Sequence, residues 1–519
     1  MGNKFTRRKF LTAVSVSATY LALTSALGCK PAERATKTTP STTTSPAQPE
    51  HVLAYDSPPA PLQRAWAFRS RPDISPPAVD VTRQAHDTAP GYIFVAPKKA
   101  GAGQNGTMIV DDRGQVVWFR HPKGMGPLAM NFKVQHYRGE PVLTWWEGYY
   151  SSQGLDEYVI LDRSYREITR IHAGNGYPNG DHHEFLISPQ DTALIAINNL
   201  LRADLSSVGR PQDGVVWQGI VQELDIETGR VLFEWHSLEH VGIDETYSKQ
   251  ENPAGAAFDH FHLNSIDVDH DDNLLVSARR TSTVYKIDRK SGEFIWRLGG
   301  KKSDFEMGPG ARFANQHDAR RQPDGTITIF DNGNMVFVNG KPTVVEESRA
   351  IALELDEEKM TAALVHEYTH PHKLFADTGG SVQALPNGNV FVGWGSEPVF
   401  SEFSKDEELL FSANLPPKDP SYRAFRFPWS GHPSDRPVAL AERVSDEEAK
   451  VYASWNGATQ VATWEVLAGP RPGQFESVES FPRNGFETTM LVQTSYPYIA
   501  VRAKTRSGQV LGVRAPVKL

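Results

Sequence analysis

From about residue 90 to 430 the chain sets apolar and polar residues in short alternating runs, cut by Pro, Asp, Asn and Gly. Period-two alternation bounded by turn residues predicts strands throughout. One pattern recurs: an alternating run, a turn, a Val/Ile-rich run, then a further strand ending in an Asp and a Gly turn. The clearest copies are FHLNSIDVDHDDNLLVSA…STVYKIDRKSGEFIWRLGG and NQHDARRQPDGTITIFDNG…RAIALELDEEKMTAALVHEY. GSVQALPNGNVFVGWG…VFSEFSKDEELLFSANLP and HEFLISPQDTALIAINN…GIVQELDIETGRVLFEWHS restate it, and two weaker copies begin at GYIFVAPKK and FKVQHYRGE. Six copies of a four-strand unit, roughly 40–60 residues each, predict an all-β chain forming a six-bladed β-propeller over residues 61–430.

Residues 431–519 have a different texture, with about seven short alternating runs around Trp464. They predict an immunoglobulin- or fibronectin-like β-sandwich, with Trp455 and Trp464 in its core. Helical signal is confined to short candidates such as 446–451.

The first 60 residues follow neither pattern. A basic patch (Lys4, Arg7, Arg8, Lys9) precedes a mild apolar run from Phe10 to Leu27, the layout of an export signal too short for a stable membrane span. The string from Thr6 to Leu11 looks like a twin-arginine signal. Cys29, the single cysteine, follows Ala26-Leu27-Gly28 and resembles a lipobox cysteine, although Ala26 stands where Leu or Val is usual. Residues 1–29 are therefore expected to direct export and lipidation at Cys29. Residues 30–60, rich in Thr, Ser and Pro, form a disordered tether. Membrane contact through the lipid and passage through the twin-arginine machinery follow. One lipidated cysteine leaves no disulfide.

A formal net charge of −8 with no Lys/Arg stripe argues against nucleic acid. The chemistry gathers where copies begin. In a propeller the first strand of each blade lines the central channel, so these positions converge. They bring His182 or His183, then His260 and His262 with Asn264, then His317 with Gln316 and Arg320. The last copy offers Gly380, Ser381 and Gln383. Arg279 and Asn332 end the second strands of the fourth and fifth copies. Imidazoles, a guanidinium and amides suit a tetrahedral oxyanion, and a neutral imidazole can attack or accept a proton. Taken singly, each histidine also fits a bland role, bonding neighbouring backbone.

Three histidines also suit a metal, but no HExxH spacing is present, and the pair His260 and His262 implies no third ligand nearby. No metal is expected. The run Asp267-x-Asp269-x-Asp271-x-Asn273 lacks the Gly and Glu of a calcium loop and reads as a hairpin turn. His370-Pro371-His372 reads as an exposed connector.

The block from His260 to Gly300, with QHDAR, FDNGN and SVQALPNGNVFVGWG, resembles the arylsulfotransferase family in its second, widely distributed branch. The likeness extends from about FRSRPD at Phe68 to the C-terminal sandwich. It implies a six-bladed periplasmic propeller with an added sandwich. Such enzymes pass a sulfuryl group from a phenolic sulfate to another phenol without an adenylyl-sulfate cofactor, through a transiently sulfated histidine. His262 and His317 match the family's motif histidines, and Arg279 or Arg320 would take the sulfuryl oxygens. On this likeness His262, His317 and Arg320 are the expected catalytic residues. Arg279, Asn264, Asn332, His183 and His260 are expected to bind substrate. Where a last-blade histidine is awaited the chain has Gly380-Ser381-Val382, so the nucleophile stays open between His317 and His262.

Two rivals stand beside this reading. A non-catalytic, lipid-anchored propeller binding a glycan or a protein needs only the fold, and Trp145, Trp146, Tyr149 and Tyr150 would suit such a patch. YKIDRKSGEFIW and QELDIETGRVLFEW resemble the docking repeat of quinone-cofactor dehydrogenases. Tryptophans packed between blades explain those strings without a cofactor. The lack of nucleotide-binding glycine loops likewise implies no soluble cofactor.

Overall fold

Aspartates close the turns that the repeat predicts. Asp225 Oδ1 accepts the Thr228 N–H at 2.8 Å, and Asp288 Oδ1 accepts that of Ser291 at 2.7 Å. Each carboxylate stands in for a backbone acceptor, so the chain reverses and the flanking apolar runs pair. The computed structural model describes residues 64–98, 103–122, 128–149, 156–248, 257–338 and 341–519. The expected signal, Cys29, the 30–60 tether and Tyr150 lie outside the described residues.

The chain is all-β, as its alternation predicts, and six sheets of four or five strands fill residues 80–427, antiparallel except where the short strands Phe258–Asp259 and Glu306–Met307 add in parallel. Five of the inner strands follow one another in chain order: β1 (Leu128–Tyr137), β2 (Asp181–Ile187), β3 (Leu263–Val268), β4 (His317–Arg321) and β5 (Ser381–Ala384). The remaining inner strand, β6 (Ser421–Phe427), arrives last in sequence. It pairs with Tyr92–Pro97, far earlier in the chain. At the other end, Asp80–Arg83 joins the outer edge of the sheet that holds β5 as its inner strand. The inner strands pack in succession from β1 to β6, and β6 packs back on β1.

Apolar clusters fill the spaces between sheets. Trp235 sits among Leu194, Val221, Ile266 and Leu274, and its Nε1–H donates to Gly292 O at 3.0 Å. Trp296 packs with Leu275, Phe305 and Ile329 in the next space. Both tryptophans thus do the packing expected of the repeated Asp–Gly–Trp strings. The Asp269–Asn273 segment is a tight turn, with Asp269 and Asp271 both paired to Lys286.

Residues 438–518 form two further sheets around one apolar cluster that contains Trp455, Trp464, Val451 and Val501. Asn456 clasps the Phe119 backbone on both sides, at 2.9 Å each way. Two local expectations are corrected. The 446–451 helical candidate lies in a hairpin of Val438–Ser445 and Glu448–Ser454, because alternating burial against that cluster outweighs local propensity. His370 is buried, its Nε2 3.3 Å from Ser412 Oγ and its ring against Trp394. Burial lowers its imidazole to about 4, so it is neutral near pH 7.

The axis of the ring is lined by buried polar groups. Glu184 of β2, fully buried, accepts from Lys133 Nζ at 2.9 Å, Asn131 Nδ2 at 3.2 Å and Arg423 Nη1 at 3.1 Å, and pairs with Arg320 Nη2. Arg320 also donates to Ile266 O at 2.7 Å and to Asp318 Oδ1 at 2.9 Å. Asp318 Oδ2 accepts the Val382 N–H at 3.1 Å. One network therefore ties all six inner strands. Bulges aim the extra groups inward: the register shifts between Met130 and Lys133 and between His317 and Arg320, with Asn131 and Asp318 at positive φ. Burial opposes the charge on Glu184, but Arg320, Arg423 and Lys133 hold its carboxyl well below the usual range.

Glu184→Gln keeps the shape and removes the charge that three cations share. It is expected to cost about 3–5 kcal/mol, the range for breaking a buried ion pair from one side. The check is the urea midpoint; a loss under about 1 kcal/mol would show that the network behaves like exposed charge.

Candidate active site

At the start of the inner strands three imidazoles meet. His183, His262 and His317 each offer a ring nitrogen within 4.8 Å of the others, and His183 Nε2 lies 3.2 Å from His262 Nε2. Each ring is held from behind through Nδ1. Asp181 Oδ1 grips His183, Asp259 Oδ2 takes His262 at 2.7 Å, and Asn332 Oδ1 takes His317 at 2.7 Å. These acceptors are themselves fixed. Asn198 Nδ2 donates to Asp181 Oδ2 at 2.7 Å, and Arg280 Nε to Asp259 Oδ2 at 2.9 Å. Asn332 Nδ2 donates to Ala376 O at 2.7 Å and Gly379 O at 2.9 Å, which leaves its Oδ1 for His317. An acceptor on Nδ1 fixes the proton there, so each Nε2 lone pair points inward.

The electrostatics of His262 and His317 favour neutral rings. Burial lowers the His262 imidazole, with Asp259 opposing, and burial, Arg279 and His183 push His317 well below its ordinary value. Burial works against charge on Asp181 and Asp259. The paired histidines, with Arg280 at Asp259, nevertheless hold both carboxyls well below the usual range.

A cavity of about 530 Å³ opens onto this cluster. His183 and His262 reach it, and Trp146, Tyr149, Tyr177, Asn198 and Trp217 line it. His317 lies deeper, only 1 % exposed, and its Nε2 receives a long 3.3 Å contact from Gly379 N–H. Tyr422 of β6 is buried under the rings, edge-on to His182, His183 and His317. A second cavity, of about 500 Å³, lies at the far ends of the inner strands and includes Lys133, Asp267 and Arg320.

The expected residues divide into two groups. His183, His262 and His317 come together, and Arg279 stands beside them: its backbone N–H donates to His262 O at 3.0 Å, and its charge bears on His317. Arg279 Nη2 is held by Asp377 O at 2.7 Å, whereas its buried Nε has no partner. Asn332 orients His317, and Asn264 Nδ2 donates to Gln316 O at 2.7 Å just ahead of that ring.

Arg320 is corrected. The bulge at Asp318 sends it into the ion network, where Nε, Nη1 and Nη2 are all engaged. His260 is corrected as well. The strand begins only at Leu263, and His262 sits at φ +58°, so the two rings do not share a face. His260 is buried, with Nδ1 3.2 Å from Trp217 O. Of the aromatic patch, Trp146 lines the cavity, whereas Trp145 is buried in an apolar cluster.

Asp181, Asp259 and Tyr422 were not among the expected residues. The signal for the first two was an acid two or three places before each histidine, as in Asp181-His182-His183 and Asp259-His260-Phe261-His262. The missing last-blade histidine also has a cause. Gly380 has φ +114°, and a Cβ there would come within 2.2 Å of Phe330 Cδ1. No side chain fits, and His183 brings the imidazole count to three.

A family model described as arylsulfotransferase (ASST) matches residues 133–415. No curated protein matches the chain. Among solved structures, a protein of unknown function from Bacteroides caccae is 14 % identical with TM-score 0.39, covering 65 % of this chain and 100 % of its own. Virginiamycin B lyase from Staphylococcus aureus is 7 % identical with TM-score 0.33, covering 70 % and 95 %. The β-propeller domain of Cps50 (Swd1) from Myceliophteria thermophila is 10 % identical with TM-score 0.33, also covering 70 % and 95 %. Likenesses this distant carry nothing about the site.

Gly380→Ala is expected to destabilise the chain by about 2–4 kcal/mol, from strain at positive φ and the clash with Phe330. Thermal unfolding checks this. A wild-type midpoint would mean the loop beside His317 is not held as tightly as described.

Proposed function

Because the chain belongs to the arylsulfotransferase (ASST) family, we propose that it passes a sulfuryl group from a phenolic sulfate ester to a phenolic acceptor through a sulfohistidine. In this reading the ring of six sheets is a six-bladed propeller and residues 431–519 are an immunoglobulin-like sandwich. The chain is exported by the twin-arginine route and anchored through a lipid on Cys29.

One observation carries the choice of nucleophile. His262 Nε2 faces the cavity while Asp259 holds its Nδ1–H. The Nε2 lone pair attacks sulfur in line, an N–S bond forms, and the S–O bond to the aryl group breaks with its electron pair leaving on the phenolate. The positive charge that appears on the imidazole is balanced by Asp259. The aryl group leaves as the phenolate and takes its proton from water, and His183 Nε2, with Nδ1 backed by Asp181, takes the proton of the acceptor phenol as that phenol attacks sulfur and frees His262. Arg279, through its unpartnered Nε, neutralises charge on the sulfuryl oxygens. His317 lies too deep to reach a bulky ester and supports the cluster from below. The aromatic walls formed by Trp146, Tyr177 and Trp217 suit flat aryl groups.

Phenolate release from 4-nitrophenyl sulfate by the full chain, with and without added phenol, tests the proposal. Phenol should accelerate release, and His262→Gln should cut turnover roughly 10³-fold or more. His183→Gln should cost roughly 10²–10⁴-fold. Release that ignores phenol, or a His262→Gln variant within tenfold of wild type, would overturn it. No release across several aryl sulfates would favour a non-catalytic binding role.

A further inference from the structure

We infer that His183, His262 and His317 form an open three-histidine site for a divalent transition-metal ion of the zinc class. This stands on geometry alone and does not depend on sulfuryl transfer. The key observation is the 3.2 Å approach of His183 Nε2 to His262 Nε2. Both Nδ1 atoms are held by carboxylates, so both Nε2 atoms carry lone pairs. Two bare lone pairs repel at that range, and a cation between them turns the repulsion into binding.

A shared proton would explain two rings. It gives no reason for the third, which brings a ring nitrogen within 4.8 Å of the other two while Asn332 holds its Nδ1. A tetrahedral ion does, because Zn–N bonds of about 2.0–2.1 Å place ring nitrogens about 3.3–3.4 Å apart, close to the His183–His262 spacing, and draw His317 in as the third ligand. Asp181, Asp259 and Asn332 are the outer partners that fix tautomer and ring orientation in histidine metal sites, and the two carboxylates supply compensating charge. The ion displaces the long Gly379 N–H contact at His317. Its fourth position faces the cavity, where a water or a sulfate oxygen completes the shell.

The ion and a sulfuryl group use the same lone pair of His262. The metal-loaded chain therefore cannot form a sulfohistidine, and the two occupancies exclude each other.

The full chain, stripped with a chelator and free of sulfate esters, is titrated with Zn²⁺ by calorimetry and with Co²⁺ by visible absorption. One ion per chain is expected, with intense d–d bands of tetrahedral Co²⁺. His317→Gln should abolish those bands. Asp259→Asn, which keeps all three ligands, should retain them and weaken binding by about 10–100-fold. Circular dichroism of each variant confirms that it is folded. The site is overturned if the folded wild type binds no Zn²⁺, if Co²⁺ shows only weak octahedral bands, or if folded His317→Gln binds both ions as wild type does. Exclusion is overturned separately if Zn²⁺-loaded protein still takes up a sulfuryl label on His262.

Discussion

Everything at the centre of this protein rests on one buried carboxylate. Glu184 is inaccessible to water, yet it faces Lys133, Arg320 and Arg423, and its partners reach every inner strand from β1 to β6. Desolvating so many charges is expensive, and the network endures because almost every donor and acceptor finds a partner. An apolar plug would fill the same volume, but it would not fix the angle of six strands to one another. The registry that the ions impose sets where the strand ends point, and the imidazoles sit at those ends. His183 is the residue next to Glu184, so the strand that anchors the network also delivers a ring to the cluster.

The cluster applies the same logic on a smaller scale. Three imidazoles are useful only if their lone pairs face one point, and rotation of any ring would undo this. Two aspartates and an asparagine stop that rotation, and Asn198, Arg280 and two backbone carbonyls hold those acceptors in turn. Such layering is what preorganised sites need, whether the incoming group is a sulfuryl sulfur or a metal ion. Arg279 is the exception. Its Nη2 is tied to Asp377 while its Nε is left without a protein partner, as suits a group that completes its hydrogen bonds on a ligand.

Much of the fold could be read from the chain, because strands with one repeating length and aspartate turns leave a periodic trace. The closure could not. Nothing in SYRAFRF shows that it pairs with YIFVAP more than 300 residues earlier, since sheet pairing depends on where both segments arrive and not on either alone. Within the site, His183, His262 and His317 were visible as residues that open repeats. Arg320 and His260 were misplaced for a shared reason: backbone with positive φ at Asp318 and His262 breaks the two-residue alternation from which side-chain direction is inferred. Asp181 and Asp259 were hidden because an aspartate before a strand reads as a turn residue.

Rapid quenching of the full chain during turnover with an aryl sulfate, followed by peptide mapping in the mass spectrometer, tests the central claim most directly. The account predicts one labile sulfuryl group, on the peptide carrying His262, that disappears when phenol is added. A label on the His317 peptide, or steady turnover with no labelled histidine at all, would contradict it.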